Sequence, residues 1–429
     1  MKKYDEYKDS GVAWIGDVPK HWEVLHLKHS LDGLQDGTHG TYASVDAGKV
    51  LLSAKNVTEH GLIIGESERT ISDIDHKEIV SNGFPQQGDI LLCCVGTLGR
   101  CCIFENPFPI AFQRSVTFLR TNSLLSNRML LYILRNKYID TQFQLFAKTS
   151  AQSGVYMGDL KDFYIVVPPI NEQTVIAAYL DTHCAKIDNL ISIQQKRIAL
   201  LQELKQSVIT HAVTKGLNPN VEMKQSGVKW IGDVPKHWKI LRGKYVLNIL
   251  SGFPFDSQKF EFEDNGVYMP LIRIRDINCS STEVYYSGSY PIESVVKTGE
   301  VLIGMDGDFN ISKWKGTNAL LNQRVCKLRE DSSMNTHYAF YMLSSPLKAI
   351  NSVTYATTVK HLSVYDIYNV FIPVPHIPEQ AAIASYLDHK CATIDTSISN
   401  AQHQIELLQE YKQSLITEVV TGKRKVTDN

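Results

Sequence analysis

SGVAWIGDVPKHW, at Ser10–Trp22, returns as SGVKWIGDVPKHW at Ser226–Trp238. Twelve of the thirteen positions are identical, a density of matches that chance does not produce. Two further stretches recur behind it in the same order. EQTVIAAYLD (Glu172–Asp181) comes back as EQAAIASYLD (Glu379–Asp388), and LLQELKQSVIT (Leu200–Thr210) as LLQEYKQSLIT (Leu407–Thr417). The chain is one unit written twice. A twofold molecule in turn suggests a twofold target.

Between the repeated stretches the two halves diverge. The middles, roughly Glu23–Val167 and Lys239–Val374, share little sequence, and the first is the longer. They read as mixed α/β. Asp89–Val95, Ser115–Leu119, Tyr164–Val167, Val301–Ile303 and Phe371–Val374 have the β-rich composition and the Gly, Pro or Asn borders of short strands. Ser126–Leu134 and Met334–Leu343 read as short helices.

The rear segments predict long helices. An apolar stripe runs Ile176, Leu180, Cys184, Ile187, Ile191, Ile198, Leu201, Val208, with steps of three, four or seven. The second copy keeps every position apolar: Ile383, Leu387, Cys391, Ile394, Ile398, Ile405, Leu408, Leu415. Such a narrow seam is that of a coiled coil, and it must be covered. The simplest cover is the other copy, in an antiparallel intramolecular pair. Asn171 is placed to cap the first helix, and Pro378 falls in the first turn of the second. Thr214–Asn220 reads as the linker between the halves. The expected fold class is therefore α+β: two pseudo-twofold-related mixed α/β domains separated by an antiparallel coiled-coil pair of long helices.

Bulk properties agree with an ordinary globular chain. Its 429 residues exceed one core, and 43% are hydrophobic against 21% charged. The opening, MKKYDEYKDSG, has no signal-peptide run, and no 18 consecutive apolar residues suggest a membrane span. Eight cysteines in this length do not make a disulfide scaffold, which fits a reducing cytoplasm. A net charge of −1 weighs against autonomous nucleic-acid binding, unless basic loops or partner subunits supply the phosphate contacts.

Catalytic sets are missing from the sequence. There is no Gly-x-Gly-x-x-Gly after a strand and no Walker loop. Val95–Gly99 reads as a turn between strands, and Asn106-Pro107-Phe108 lacks the second proline of an amino-methyltransferase loop. Cys93-Cys94 and Cys101-Cys102 flank the turn without Cys-x-x-Cys spacing. Adjacent cysteines on a strand point to opposite faces, so buried packing is the expected role and no metal is expected. His21 and His237 belong to the repeated frame, and no acidic cluster matches a nuclease. The chain is expected not to be an enzyme by itself.

Trp14–Trp22, repeated at Trp230–Trp238, resembles the start of target-recognition domains in the specificity subunit of type I restriction–modification systems. Pro168–Gln173 and Pro375–Gln380 resemble the opening of that family's helical regions. Gly88–Leu91 with Gly299–Leu302, and Phe112–Arg114 with Asn322–Arg324, are similar to further family strands. The resemblance covers essentially the whole chain. It implies target-recognition domain 1 at residues 1–169, a central long helix at 170–214, linker and target-recognition domain 2 at 215–375, and a C-terminal long helix at 376–422. Each domain would read one half of a bipartite double-stranded DNA site, while the helices set the spacer and dock two methylation subunits. S-adenosylmethionine would sit on those adenine-specific partners, and ATP and Mg on the restriction subunits, with no cofactor on this chain. The alternative is an assembly scaffold of two repeats that binds proteins and no DNA.

Base readout needs donors and acceptors, commonly Arg or Lys for guanine and Asn or Gln for adenine. In the first middle, Lys55, Asn56, Thr97, Arg100, Gln113, Arg114, Thr149, Gln152 and Tyr156 are the expected DNA-binding residues. In the second they are Arg273, Arg275, Asn310, Lys313, Lys315, Gln323, Arg324, Thr357, Lys360 and His361. Gln113-Arg114 and Gln323-Arg324 recur, which argues for a shared role in backbone contact or structure. Trp14, Trp22, Trp230 and Trp238 are expected to pack the arm of each half.

Overall fold

Two long helices, Ile170–Lys215 and Ile377–Val420, carry the frame. The computed structural model describes residues 2–106, 108, 110–147, 154–353 and 361–426. By internal contacts the chain divides into two units, Met1–Gln195 with His403–Asn429, and Lys196–Gln402. The division falls inside both helices, so each unit holds the opening of one and the close of the other.

Within each unit these helix segments run antiparallel and bury part of the predicted stripe, while Ile191, Ile198, Leu201, Val208, Ile398, Ile405 and Leu408 stay half-buried. In the first, Ile176, Leu180, Cys184 and Ile187 share a core with Leu415, Ile416, Val419 and Val420. In the second, Ile383, Ala384, Leu387 and Cys391 share one with Ile209, Ala212 and Val213. An ion pair crosses each seam at matched positions: Lys412 to Asp188 at 2.8 Å, and Lys205 to Asp395 at 2.7 Å. Asn171 does not cap, because the central helix already begins at Ile170. Pro168-Pro169 sets the entry, and the carbonyl of Pro169 accepts from Glu172 and Gln173. Pro378 lies in the first turn of its helix, where a missing N–H leaves no bond unmade.

The front and rear repeats are two sides of one contact. A short hairpin, Tyr7–Asp9 with Asp17–Pro19, turns through Gly11 and Gly16 at φ of 75° and 70°. Gly227 and Gly232 repeat this at 74° and 67°, which only glycine adopts without strain. The hairpin drives Trp22, fully buried, against the start of the central helix. There Glu172 lies 2.6 Å from His21 Nε2 and accepts from Tyr4 Oη at 2.9 Å and Trp22 Nε1 at 3.2 Å. In the second unit His237 reaches Glu379 at 2.9 Å, while Trp238 Nε1 is buried with no partner among the described residues. Trp22 and Trp238 are thus core, whereas Trp14 is 39% exposed.

Each middle contributes a four-stranded antiparallel sheet and a second, mixed one. The first unit orders Cys101–Ile103, Ile90–Cys93, Val116–Thr121 and Leu31–Asp36, beside Ala111–Phe112, Lys49–Leu52 and Thr70–Ile71. The second orders Asn248–Ser251, Val325–Arg329, Val301–Gly304 and Ile311–Lys313, and its mixed sheet has five strands. Tyr164–Val167 pairs with Glu23–His26, and Phe371–Val374 with Lys239–Arg242, which ties each middle back to its frame. The helix expected at Ser126–Leu134 runs Asn127–Leu134 with Ser126 as its cap. Its counterpart extends further than expected, from Thr336 to Val353 through Pro346.

The hairpin cysteines split between the two faces of the sheet. Cys93 and Cys102 pack with Leu91, Phe112 and Phe118, and Cys94 and Cys101 with Ile90, Leu92 and Met129. Burial pushes the thiols of Cys94 and Cys102 up to about 12 and that of Cys101 to about 11. Cys279 alone among the cysteines is exposed. Labelling the native protein with a thiol reagent at neutral pH should therefore modify one fast site, Cys279, with the rest reacting only after denaturation. Rapid labelling of Cys94 or Cys101, read by peptide mass, would contradict this packing.

Candidate nucleic-acid interface

In each unit the hairpin turn, the strand behind it and a returning segment meet at one edge. In the first unit, Val155 donates to the Cys94 carbonyl at 2.9 Å, and Cys94 to that of Ser115 at 3.2 Å. This brings the turn Val95–Arg100, the pair Gln113-Arg114 and the segment Gly154–Tyr156 together. Thr97, Arg114 and Tyr156 are exposed there, and Gln113 is half-buried. In the second unit, Leu362 donates to Met305 at 2.7 Å and Met305 to Arg324 at 3.0 Å, the same arrangement at matched positions.

These bonds also fix the register of the recurring Gln-Arg pair. Ala111 and Phe112 pair with Leu51 and Leu52, as Leu320 and Leu321 pair with Leu271 and Ile272. Val116 and Val325 likewise donate to Gln113 and Asn322. Gln113 therefore matches Asn322, Arg114 matches Gln323, and Ser115 matches Arg324. The two pairs stand one residue out of step.

That shift places Arg324 in an electrostatic cluster that the described residues of the first copy do not repeat. The turn after Val301–Gly304 bends through Phe309 at φ 48° and presents Asp306. Asp306 Oδ1 lies 2.7 Å from His361 Nδ1, and Oδ2 lies 3.4 Å from Arg324 Nε. Arg324 and His361 remain more than half exposed. Asn310 and Gln323 are exposed beside them. The first copy has Val95, Ser115 and Gly154 at the matching places.

A second matched pair comes from the turn after the inner mixed-sheet strand. Asn56 Oδ1 accepts from Ser53 N at 2.9 Å, as Asp276 Oδ2 accepts from Arg273 N at 2.9 Å. Lys55 and Arg275 thus occupy one position, each with its side chain 67% exposed. Each faces an acid: Lys55 to Glu68 at 2.9 Å, Arg275 to Glu283 at 3.7 Å. The Lys55 hydrogen bond holds the Glu68 carboxyl below its ordinary range.

Other expected residues are committed within the fold. Asn56 is buried, its amide donating to Ile63 O and Glu68. Arg100 folds back to donate to Ala54 O at 2.7 Å. Arg273 binds Asp276 and Glu283. Lys313 turns away from the edge, donating to Asp388 at 2.6 Å beside the rings of Phe340 and Tyr341. Lys315 is exposed near it. Thr149, Gln152, Thr357 and Lys360 lie outside the described residues. Sequence reasoning missed Asp306, Glu68 and Glu283, the acids that orient the exposed cations. Asp306-Gly307-Asp308 carried a turn signal but nothing that named its partners.

Among the described residues no group of three or more His, Cys, Asp or Glu side chains is disposed to hold a metal ion. Among them, too, no helix is long and apolar enough to cross a membrane.

Comparison with known proteins agrees with this architecture. The family described as type I restriction modification DNA specificity domain matches residues 66–203 and again 235–407. The EcoBI specificity subunit of Escherichia coli is 35% identical over 203 residues, which is 47% of this chain and 42% of that protein. A putative type I restriction enzyme specificity subunit, MjaX, of Methanocaldococcus jannaschii is 26% identical across 96% of both chains. Among solved structures, a chain from a study of type I restriction–modification assembly superposes with a TM-score of 0.71 at 16% identity, covering 95% of this chain and 99% of that one. The HsdS subunit from Thermoanaerobacter tengcongensis gives 0.51 at 16% identity, over 95% and 98%. Those two share the fold. With the family matched twice, over well more than half its length, the chain belongs to the type I restriction–modification DNA specificity family.

Proposed function

We propose that the chain is the sequence reader of a type I restriction–modification complex and is itself non-catalytic. Each unit reads one half of a bipartite double-stranded site through the edge built from its hairpin turn and neighbouring loops. The observation that carries this reading is a single edge built twice on one frame, with different side chains at matched positions. In this reading residues 1–169 and 215–375 are the two recognition domains. The helices, 170–214 and 376–422, set the gap between half-sites and dock two methylation subunits. S-adenosylmethionine belongs to those partners, and ATP and Mg to the restriction subunits, all in the cytoplasm. Partner subunits that share the clamping of phosphate account for a net charge of −1 on a DNA reader.

Arg324 is the strongest candidate for direct readout, because Asp306 orients its guanidinium from behind while its outer edge stays exposed. Arg324→Ala should cost roughly 1–3 kcal/mol of specific binding and relax one position in one half-site. Methylome sequencing of a host carrying the complete system reports both half-sites and their gap, and repeating it with the variant reports the relaxed position. Binding with methylation partners that ignores sequence would sink the reading and favour a protein scaffold.

A further inference from the structure

The duplication supplies its own control, since matched positions that differ mark a change of use. In the second unit the long helices and the helix Thr336–Val353 border a cleft of ≈ 650 Å³, within the range of small-ligand sites. Lys205, Lys313, Lys315 and Lys348 all line it. Two of them are neutralised, Lys205 by Asp395 and Lys313 by Asp388. Among the described residues Lys348 reaches only the amide oxygen of Gln206, at 3.4 Å. No partner of Lys315 is present among the described residues. Two ammonium groups therefore stand without a carboxylate in a cleft where Phe340 and Ile398 are half-buried and Ile209 forms part of the buried floor.

The first unit fills the same place. Tyr132 donates to Asp181 as Tyr341 donates to Asp388, so Arg135 there matches Ser344 here. Phe104 donates to Asp89 O as Trp314 does to Glu300 O, which matches Ile103 with Lys313 and Glu105 with Lys315. The Arg135 guanidinium donates to the carbonyls of Glu59 and Cys101, and its own carbonyl accepts from Gln413 at 2.9 Å. Where the second copy has a serine, two added lysines and an opening, the first has an arginine plug, an isoleucine and an acid.

We propose that this cleft binds a phosphate-bearing small molecule of the nucleotide class. Lys315 and Lys348 hold the phosphates, and the Phe340 ring with Ile398 takes the base. A concave recess suits a free nucleotide better than a duplex, whose convex backbone is far wider than the cleft. Lys313 sits well inside it, with its side chain only 23% exposed.

Equilibrium dialysis of the full-length chain against ATP, ADP and inorganic pyrophosphate tests the assignment, with a non-cognate DNA duplex as a separate arm. One saturable site per chain is expected for ATP. Ser344→Arg, which installs the first unit's plug, and Lys315→Glu, which installs its acid, should each weaken ATP binding about tenfold or more at unchanged melting temperature. Lys77→Glu, on an exposed helix of the first unit, should leave it unaltered. The proposal is overturned if no saturable ATP binding occurs by ~1 mM. It is equally overturned if both cleft variants bind ATP like the parent, or if they lose affinity only for the duplex.

Discussion

Replacing Asp89 with alanine should destabilise the first unit by roughly 3–5 kcal/mol, the cost of breaking a buried ion pair from one side. Asp89 is buried, and Arg120 grips it with both ends, Nε to Oδ1 at 2.8 Å and Nη2 to Oδ2 at 2.7 Å. Asp89 also accepts from Gln86 N at 2.6 Å. Arg120 lies over the Phe84 ring at 4.2 Å and donates to Gly83 O, so it cannot swing to water without loosening that loop. A guanidinium stays protonated in a protein with or without its partner, so the cation has no neutral form to adopt when Asp89 is lost. A fall in melting temperature of roughly 10 °C is expected, followed by circular dichroism. The double variant Asp89→Leu with Arg120→Met should lose much less, because it removes both charges and keeps the volume. If the double variant is as unstable as the single one, packing around Phe84, and not the uncompensated cation, is the cause.

The duplication and the helices were legible because they are properties of spacing, and spacing survives in the one-dimensional chain. The stripe Ile176, Leu180, Cys184, Ile187 is buried as its period requires. The candidate reading residues were less legible, because exposure of a cation depends on which acid it meets. Arg273 and Arg275 are two residues apart, yet one is largely covered by Asp276 and Glu283 and the other is open. Lys313 looked like Lys315 until the fold brought Asp388, far along the chain, against it. Gln113-Arg114 and Gln323-Arg324 match by letters, but the backbone bonds of Val116 and Val325 count from the other side and shift them by one. Local alignment cannot detect that shift, since either register keeps a polar pair in the turn. The link between the front and rear repeats was hidden for the same reason. Glu172 and Trp22 meet only in three dimensions.

The other large effect should come from the glutamine that follows this glutamate. Gln173 is fully buried and makes three hydrogen bonds. Its Oε1 accepts from Ser126 N at 2.8 Å, and its Nε2 donates to Leu124 O and Pro168 O, both at 2.8 Å. Gln380 repeats the set with Asn335 N at 2.8 Å, Ser333 O at 3.1 Å and Pro375 O at 3.0 Å. One amide thus joins the start of a long helix to the start of the domain's own helix and to the strand exit. Gln173→Ala leaves a buried N–H and two carbonyls unmatched, and a loss of about 3 kcal/mol is expected. Gln173→Glu should be worse, because a carboxylate oxygen would face the two carbonyls that now accept a donor. Hydrogen exchange should rise first at residues 126–134 and 170–178, and urea denaturation gives the magnitude. With each unit reading its own half-site, Gln173→Ala should relax one half in the methylome and Gln380→Ala the other. Equal relaxation of both halves by either variant would mean that this amide does not act within its own unit, and that the helix start does not position the reader.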